Sequence, residues 1–342
     1  MLASWLDSQD RQLVESAKRE LEQLLMRLGR DILDIQDVQE ANQLRGSDFA
    51  TTLLYAWLLR SEAQGPFIAD FFENSHLQLE QESLSKYSFP EKVVLVPGAF
   101  YEEYPETGGG GELVMHELEK LGIPVVRVPV QSVGTLEQNS RILRDYLTEL
   151  GNKNLLMVSL SKGAADIKSA LRDDPHCFQQ VSLWVSIGGI LSGTPLINWV
   201  GARPPVDWLN RLVFYWRGRD YRFFTQLARA PMGSLDFELR LPSHLQEIHA
   251  VGFPLRRHAT TRYAKIWHKR FAKLGPNDAV LLLEDLLQLP GKILPIWGVD
   301  HYYSPKWDFR MLVHGMLRYW NNHVCPPSSA MTRTPDESID CL

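Results

Sequence analysis

Apolar residues in this chain follow two different periods in turn. Near the start, Leu13, Val14, Ala17, Leu21, Leu24, Leu25 and Leu28 recur at helical spacing with charges between them and Gly29 behind. That pattern predicts an amphipathic helix over 13–28 with a glycine stop. A second helix is predicted from Ser47 or Asp48, either of which can cap it, through Phe49, Leu53, Leu54, Trp57 and Leu58. Phe67, Ile68, Phe71 and Phe72 form a third apolar cluster. These stripes are read as packing faces. A membrane or partner role is the weaker reading, because their polar faces carry acids as well as bases. Residues 76–90 are polar and read as a connection.

From residue 92 the period changes. Short apolar runs at 93–96, 125–130, 155–158, 181–187, 248–253 and 293–297 alternate with helical stretches at 113–121 and 135–150, the latter opened by Thr135. Unbroken apolar strands separated by helices predict a mostly parallel sheet covered on both faces. No internal repeat is visible. Between 191 and 245 the alternation stops. This insert is rich in aromatics, Trp199, Trp208, Phe214 and Trp216 among them, interleaved with arginines. Arg256, Arg257, Arg262, Lys265, Lys269, Arg270 and Lys273 then make a basic segment, read as a solvated helix face, with anion recognition as the alternative. Residues 325–342, with Pro326-Pro327 and several Ser and Thr, read as a disordered tail.

Composition narrows the picture without specifying it. The 342 residues are 44% hydrophobic and 23% charged, which suits a globular protein. A net charge of -5 argues against a general nucleic-acid binder. Cys177, Cys325 and Cys341 have no metal-binding or paired spacing and imply free thiols in a reducing, cytoplasmic setting. The first residues carry charges where a signal peptide would have an apolar core. No apolar run reaches the roughly 18 residues that span a bilayer, which leaves peripheral membrane contact open.

The candidate chemistry begins at Ser159-Leu160-Ser161-Lys162-Gly163. An apolar strand precedes it and a small-residue helical stretch follows. Strand, sharp turn, hydroxyl and helix is the order of a nucleophile elbow, whose strained backbone needs tiny neighbours. Gly163 meets that need. On the other side Ser159 stands where glycine is usual, so the match is partial, and a serine-rich loop without chemistry is the competing reading. An elbow serine needs a base and an acid, in the chain order Ser, Asp/Glu, His. His301 lies just past the 293–297 strand, and Asp278 lies on the loop before a helical run through 287. Asp300 is a poorer acid, since neighbours on an extended chain point apart. Glu284 and Asp285 are expected on a solvated helix face. Of the 10 histidines, His258, His268, His314 and His323 lack a strand-end position. Lys162 is expected to snorkel or to pair with an acid, with attraction of an anionic substrate as the alternative. The Gly108-Gly109-Gly110-Gly111 run meets neither nucleotide-binding spacing and reads as a flexible loop near the site entrance.

With Ser161, Asp278 and His301 in this order, the chain over 92–320 resembles the α/β-hydrolase superfamily. The Gly-Pro-Asn-Asp-Ala segment at 275–279 and Asp-His-Tyr at 300–302 look most like its lipase and esterase branch. The resemblance implies an α/β-hydrolase fold at 91–324, with an N-terminal helical extension at 1–90 and a helical cap insert at about 191–245. It implies a catalytic triad of Ser161, Asp278 and His301. It also implies oxyanion donors at the N–H groups of Lys162 and Ala99, Phe100 being the lesser choice for the second; the family often has His-Gly where this chain has Pro97-Gly98. Phe100, Trp208 and Trp216 are candidates for the substrate pocket, although most cap aromatics are expected to form the cap's own core. No metal or organic cofactor is implied. The expected substrate is a small-molecule or lipid ester. A thioesterase, phospholipase, acyltransferase or non-catalytic binding protein on the same scaffold is the alternative, and the oligomeric state is left open.

Overall fold

The computed structural model describes residues 6–75, 88–151, 153–303 and 307–325. The expected connection at 76–90 and tail at 325–342 therefore lie largely outside the described residues. Six strands form one sheet: β1 (Lys92–Val96), β2 (Val125–Arg127), β3 (Leu155–Leu160), β4 (Val181–Ile187), β5 (Gln246–Phe253) and β6 (Lys292–Trp297). Their order is β2-β1-β3-β4-β5-β6, and every pairing is parallel. The predicted strand at 125–130 is shorter than its apolar run, since Pro129 offers no N–H to a ladder.

Side chains of adjacent strand residues point to opposite faces, which is why the strands read as unbroken apolar runs. Val93, Leu95, Leu156, Val158, Leu183 and Val185 face one core. Val94, Val96, Leu155, Met157, Val181 and Trp184 face the other. The second face is covered by α6 (Leu136–Leu150) and α7 (Lys162–Asp173). Thr135 caps α6 through a reciprocal bond with Gln138.

The first face is covered by α5 (Glu112–Lys120) and α12 (Phe309–Tyr319) together with the N-terminal helices α1 (Ser8–Leu28), α2 (Ile35–Arg45), α3 (Ser47–Arg60) and α4 (Gly65–Ser75). The stripes read from the sequence are thus packing faces. Tyr55 of α3 lies 4.7 Å from Trp297 and 5.8 Å from Phe253, ring to ring. On α12, Gly315 admits Phe71 so closely that an added Cβ would sit 2.4 Å from its ring. The basic segment, which contains α11 (Arg262–Phe271), takes part in this docking: Arg257 and His258 both pair with Asp10 of α1. It is not wholly a solvated face.

The insert holds α8 (Pro195–Gly201), α9 (Pro204–Trp216) and α10 (Arg222–Thr225). Most of its aromatics form a small core of their own, in which Phe214 makes ring contacts with Tyr221, Phe223 and Phe224, and Tyr221 with Phe224. Its base is tied to the sheet domain at several points. Lys168 of α7 donates to the carbonyls of Leu191 (2.7 Å) and Leu235 (2.9 Å), and Gln226 donates to both Glu137 oxygens. The predicted helix after Asp278 is only a 3₁₀ turn, Leu283–Gln288. Glu284 and Asp285 are not on a solvated face. Leu281, Leu282, Leu283 and Leu286 pull the segment inward, and the two acids are buried with it. Arg229 pairs with Asp285 at 2.5 Å, and Gln39 donates to Glu284.

Candidate active site

Strand order locates the site. From β1 the chain runs outward to β2, then crosses back to β3, so the crevice between the C-terminal ends of β1 and β3 is the topological switch point. Gly98, Ala99 and Phe100 follow β1 there, and Ser161 follows β3.

Ser161 has φ 45° and ψ -113°, a conformation that costs a non-glycine residue about 1–3 kcal/mol. Three backbone bonds hold it: its N–H donates to Ile187 O (2.9 Å), and its carbonyl accepts from Ala164 N (3.2 Å) and Ile190 N (3.0 Å). Gly163 permits the turn to press on the β1 loop. A Cβ there would lie 2.5 Å from Val96 O and 2.7 Å from Pro97 O. Ser159 does not obstruct the elbow. It is buried, and its Oγ accepts a 2.9 Å bond from the indole N–H of Trp184 on β4. The departure from glycine therefore satisfies a buried donor that glycine would leave bare.

The structure brings Ser161, His301 and Asp278 together. Ser161 Oγ lies 3.0 Å from His301 Nε2, and His301 Nδ1 lies 2.9 Å from Asp278 Oδ2. Asp278 is fully buried. Its Oδ1 accepts from the backbone N–H groups of Val280 (2.8 Å) and Leu281 (2.6 Å). A carboxylate can only accept, so Nδ1 carries the proton in this tautomer, and Nε2 presents a lone pair to the serine hydroxyl. The backbone adds a further tie, His301 N to Asp278 O at 2.9 Å. Asp300 is turned elsewhere: it accepts from Thr260 N and Oγ1, each at 2.8 Å, and from Tyr302 N at 3.0 Å. It fixes the histidine loop and does not touch the imidazole.

Around the serine, Phe100 N–H is committed to Ser132 O at 3.2 Å. The N–H groups of Ala99 and Lys162 have no acceptor among the described residues. Of the two loop candidates, Ala99 is thus the free donor. The Lys162 side chain does not snorkel. It is buried, and its Nζ bonds both oxygens of Asp166, at 2.5 and 2.8 Å. Asn139 adds a 2.9 Å bond to the same carboxylate. Burial pushes the Lys162 ammonium down and the Asp166 carboxyl up from their ordinary values, and the pairing opposes both shifts.

Ser161 and His301 open into a cavity of about 560 Å³. Gly98, Ala99 and Phe100 form one wall, the glycine loop with Gly108, Gly109 and Gly111 another, and Tyr263, Tyr302 and Tyr303 a third. Among the described residues no Asp, Glu, Lys or Arg lines it. The glycine run stands where the sequence suggested. Gly111, at φ 80°, sits against Leu95, where a Cβ would meet the leucine at 2.4 Å. Trp208 and Trp216 do not line this cavity. Both stand on the outer side of α9, 64% and 76% exposed, because Phe214 is the residue that α9 turns inward. Tyr263, which does line it, lies in the basic segment, far from the motifs in sequence, and carried no signal there; Tyr104, which also lines it, stands between Phe100 and the glycine run, where only its nearness to both could have marked it. A second cavity, about 770 Å³, lies between α7 and residues 237–244 and includes none of Ser161, Asp278 or His301.

No protein-family model matches the chain, and no curated protein matches it. Solved structures do. A metagenomic carboxyl esterase superposes with a TM-score of 0.54 at 20% identity, over 68% of this chain and 76% of that one. The mature form of a Bacillus licheniformis lipase gives 0.47 at 18% identity, over 68% and 89%. At such identity the likeness is one of fold. The chain has the α/β-hydrolase fold.

Proposed function

We propose that this protein is a serine hydrolase that cleaves a carboxylic ester with an apolar acyl part. The observation that carries the reading is the continuous relay from Ser161 through His301 to buried Asp278, at 3.0 and 2.9 Å, opening into an apolar cavity. In this reading His301 Nε2 takes the Ser161 proton as Oγ attacks the ester carbonyl. The tetrahedral oxyanion accepts from the N–H groups of Ala99 and Lys162. His301, now imidazolium and stabilised by Asp278, returns the proton to the leaving alcohol. Water then repeats the sequence on the acyl-enzyme.

The name of the esterase that this fold superposes on agrees with that chemistry. Thioester hydrolysis or acyl transfer would use the same groups. Among the described residues no Lys or Arg lines the cavity, which gives no support to a phosphate-bearing substrate. A fluorophosphonate probe tests the proposal. It should label wild type at Ser161 and leave Ser161→Ala unlabelled, with ester turnover lost in parallel. Turnover that persists in Ser161→Ala, or labelling that moves to Ser159, would overturn it.

A further inference from the structure

Helix α9 has its amphipathicity reversed. At 100° per residue, Trp208, Leu209, Leu212, Val213, Tyr215 and Trp216 share one arc of about 160°. That arc faces outward: Trp208, Leu209, Val213, Tyr215 and Trp216 are all exposed. The polar residues are turned aside and bonded. Asp207 holds Arg211 at 2.7 Å and accepts from Tyr221 at 2.5 Å, while Asn210 donates to Val206 O at 2.9 Å. A contiguous apolar face of this size marks an interaction surface.

Charge indicates what it meets. Residues 191–234 hold six arginines against two aspartates, in a chain whose net charge is -5; Arg211, Arg219, Arg222 and Arg229 are paired with acids, which leaves Arg203 and Arg217. Arg203 and Arg217 stand at the two ends of the helix and pair with no acid among the described residues; Arg203 lies over the Trp199 ring at 3.9 Å and donates to Trp199 O at 2.8 Å. Indole rings with flanking arginines suit the boundary between acyl chains and anionic headgroups, where the rings bury and the guanidinium groups meet phosphate. No described helix is long and apolar enough to cross a membrane, so contact would be from the side.

We infer that the outer face of α9 docks this protein onto an anionic lipid surface. The helix lies along the headgroup plane, and Trp208 and Trp216 enter the acyl boundary. The inference does not depend on the hydrolytic reading, since none of the docking residues touches Ser161 or His301.

The test is cosedimentation of the full chain, as the Ser161→Ala variant, with vesicles of phosphatidylcholine alone or mixed with phosphatidylglycerol. Partition onto the mixed vesicles should exceed that onto phosphatidylcholine by at least tenfold and fall with added salt. Trp208→Ser with Trp216→Ser should lower it tenfold or more. Arg203→Glu with Arg217→Glu should do the same, since each arginine near an anionic surface is worth about fivefold. Thermal melts check that the variants fold, and Leu209→Lys provides a further probe of the arc. Equal binding to both vesicle types would overturn the inference, as would undiminished binding by the tryptophan variant. So would a soluble dimer that ignores vesicles and is dissolved by Leu209→Lys, because the face would then belong to a second copy.

Discussion

Asp278→Asn should lower kcat by two to four decades, and the structure gives the reason. Oδ1 of Asp278 receives two backbone N–H groups, from Val280 and Leu281, while Oδ2 receives His301 Nδ1. An asparagine must therefore place its oxygen at the Oδ1 position, and its NH2 then faces the imidazole. Turning the amide over would set that NH2 against two buried N–H donors, at about 1–3 kcal/mol for each donor left unpaired. The two together come to about 2–6 kcal/mol. With NH2 facing it, Nδ1 must become the acceptor. The proton moves to Nε2, where no lone pair remains for the Ser161 hydroxyl. At about 1.4 kcal/mol per decade, the amide preference alone is worth roughly one and a half to four decades against the competent tautomer. The same substitution in a serine protease costs about four decades. Asp300→Asn should cost kcat less than tenfold, since its oxygens hold Thr260 and Tyr302, not the imidazole. The assay is kcat on a chromogenic ester for both variants, with melts to establish folding. An Asp278→Asn enzyme within fivefold of wild type, beside a dead Asp300→Asn, would refute the reasoning.

Gly163→Ala drives a methyl to within 2.5 Å of Val96 O and should destabilise by about 1–3 kcal/mol while displacing the Ala99 donor. A wild-type urea midpoint together with wild-type kcat would contradict that packing. Lys162→Met strands the buried Asp166 carboxylate and should cost about 3–5 kcal/mol, much of it recovered in Lys162→Met with Asp166→Leu. Equal stabilities of the single and double variants would refute the pairing. His258, His268 and His314 are held below the ordinary value of 6.5, in each case mainly by burial. The unfolded chain therefore takes up protons first on acidification. Their stability contribution is present above pH 6.5 and is lost as pH falls through the folded values. Tm should drop between pH 7.5 and 5.5, and by less in His268→Gln; a drop that is no smaller in that variant would refute the assignment.

Much of the architecture was legible because it is written in local period. Unbroken apolar runs such as 155–158 have both faces buried, so they announce a covered parallel sheet. Thr135 and Gly29 mark helix ends through their own backbone chemistry. Ser161, Asp278 and His301 could be picked out because chain order and strand-end position constrain an elbow, and their neighbours in sequence carry the signal. What the sequence left open depends on which surfaces meet. Glu284 and Asp285 follow a helical period on paper but are drawn inward by the leucines beside them, and their partners Gln39 and Arg229 lie far away in the chain. Trp208 and Trp216 have the composition of a pocket, yet α9 packs through Phe214 and turns them out. Lys162 and Ser159 look like irregularities until Asp166 is seen to accept from the lysine and Trp184 to donate to the serine. A periodic pattern reports how one segment divides into faces; only the packed chain decides which face is covered and by what, because burial and bonding energies depend on contacts between residues remote in sequence.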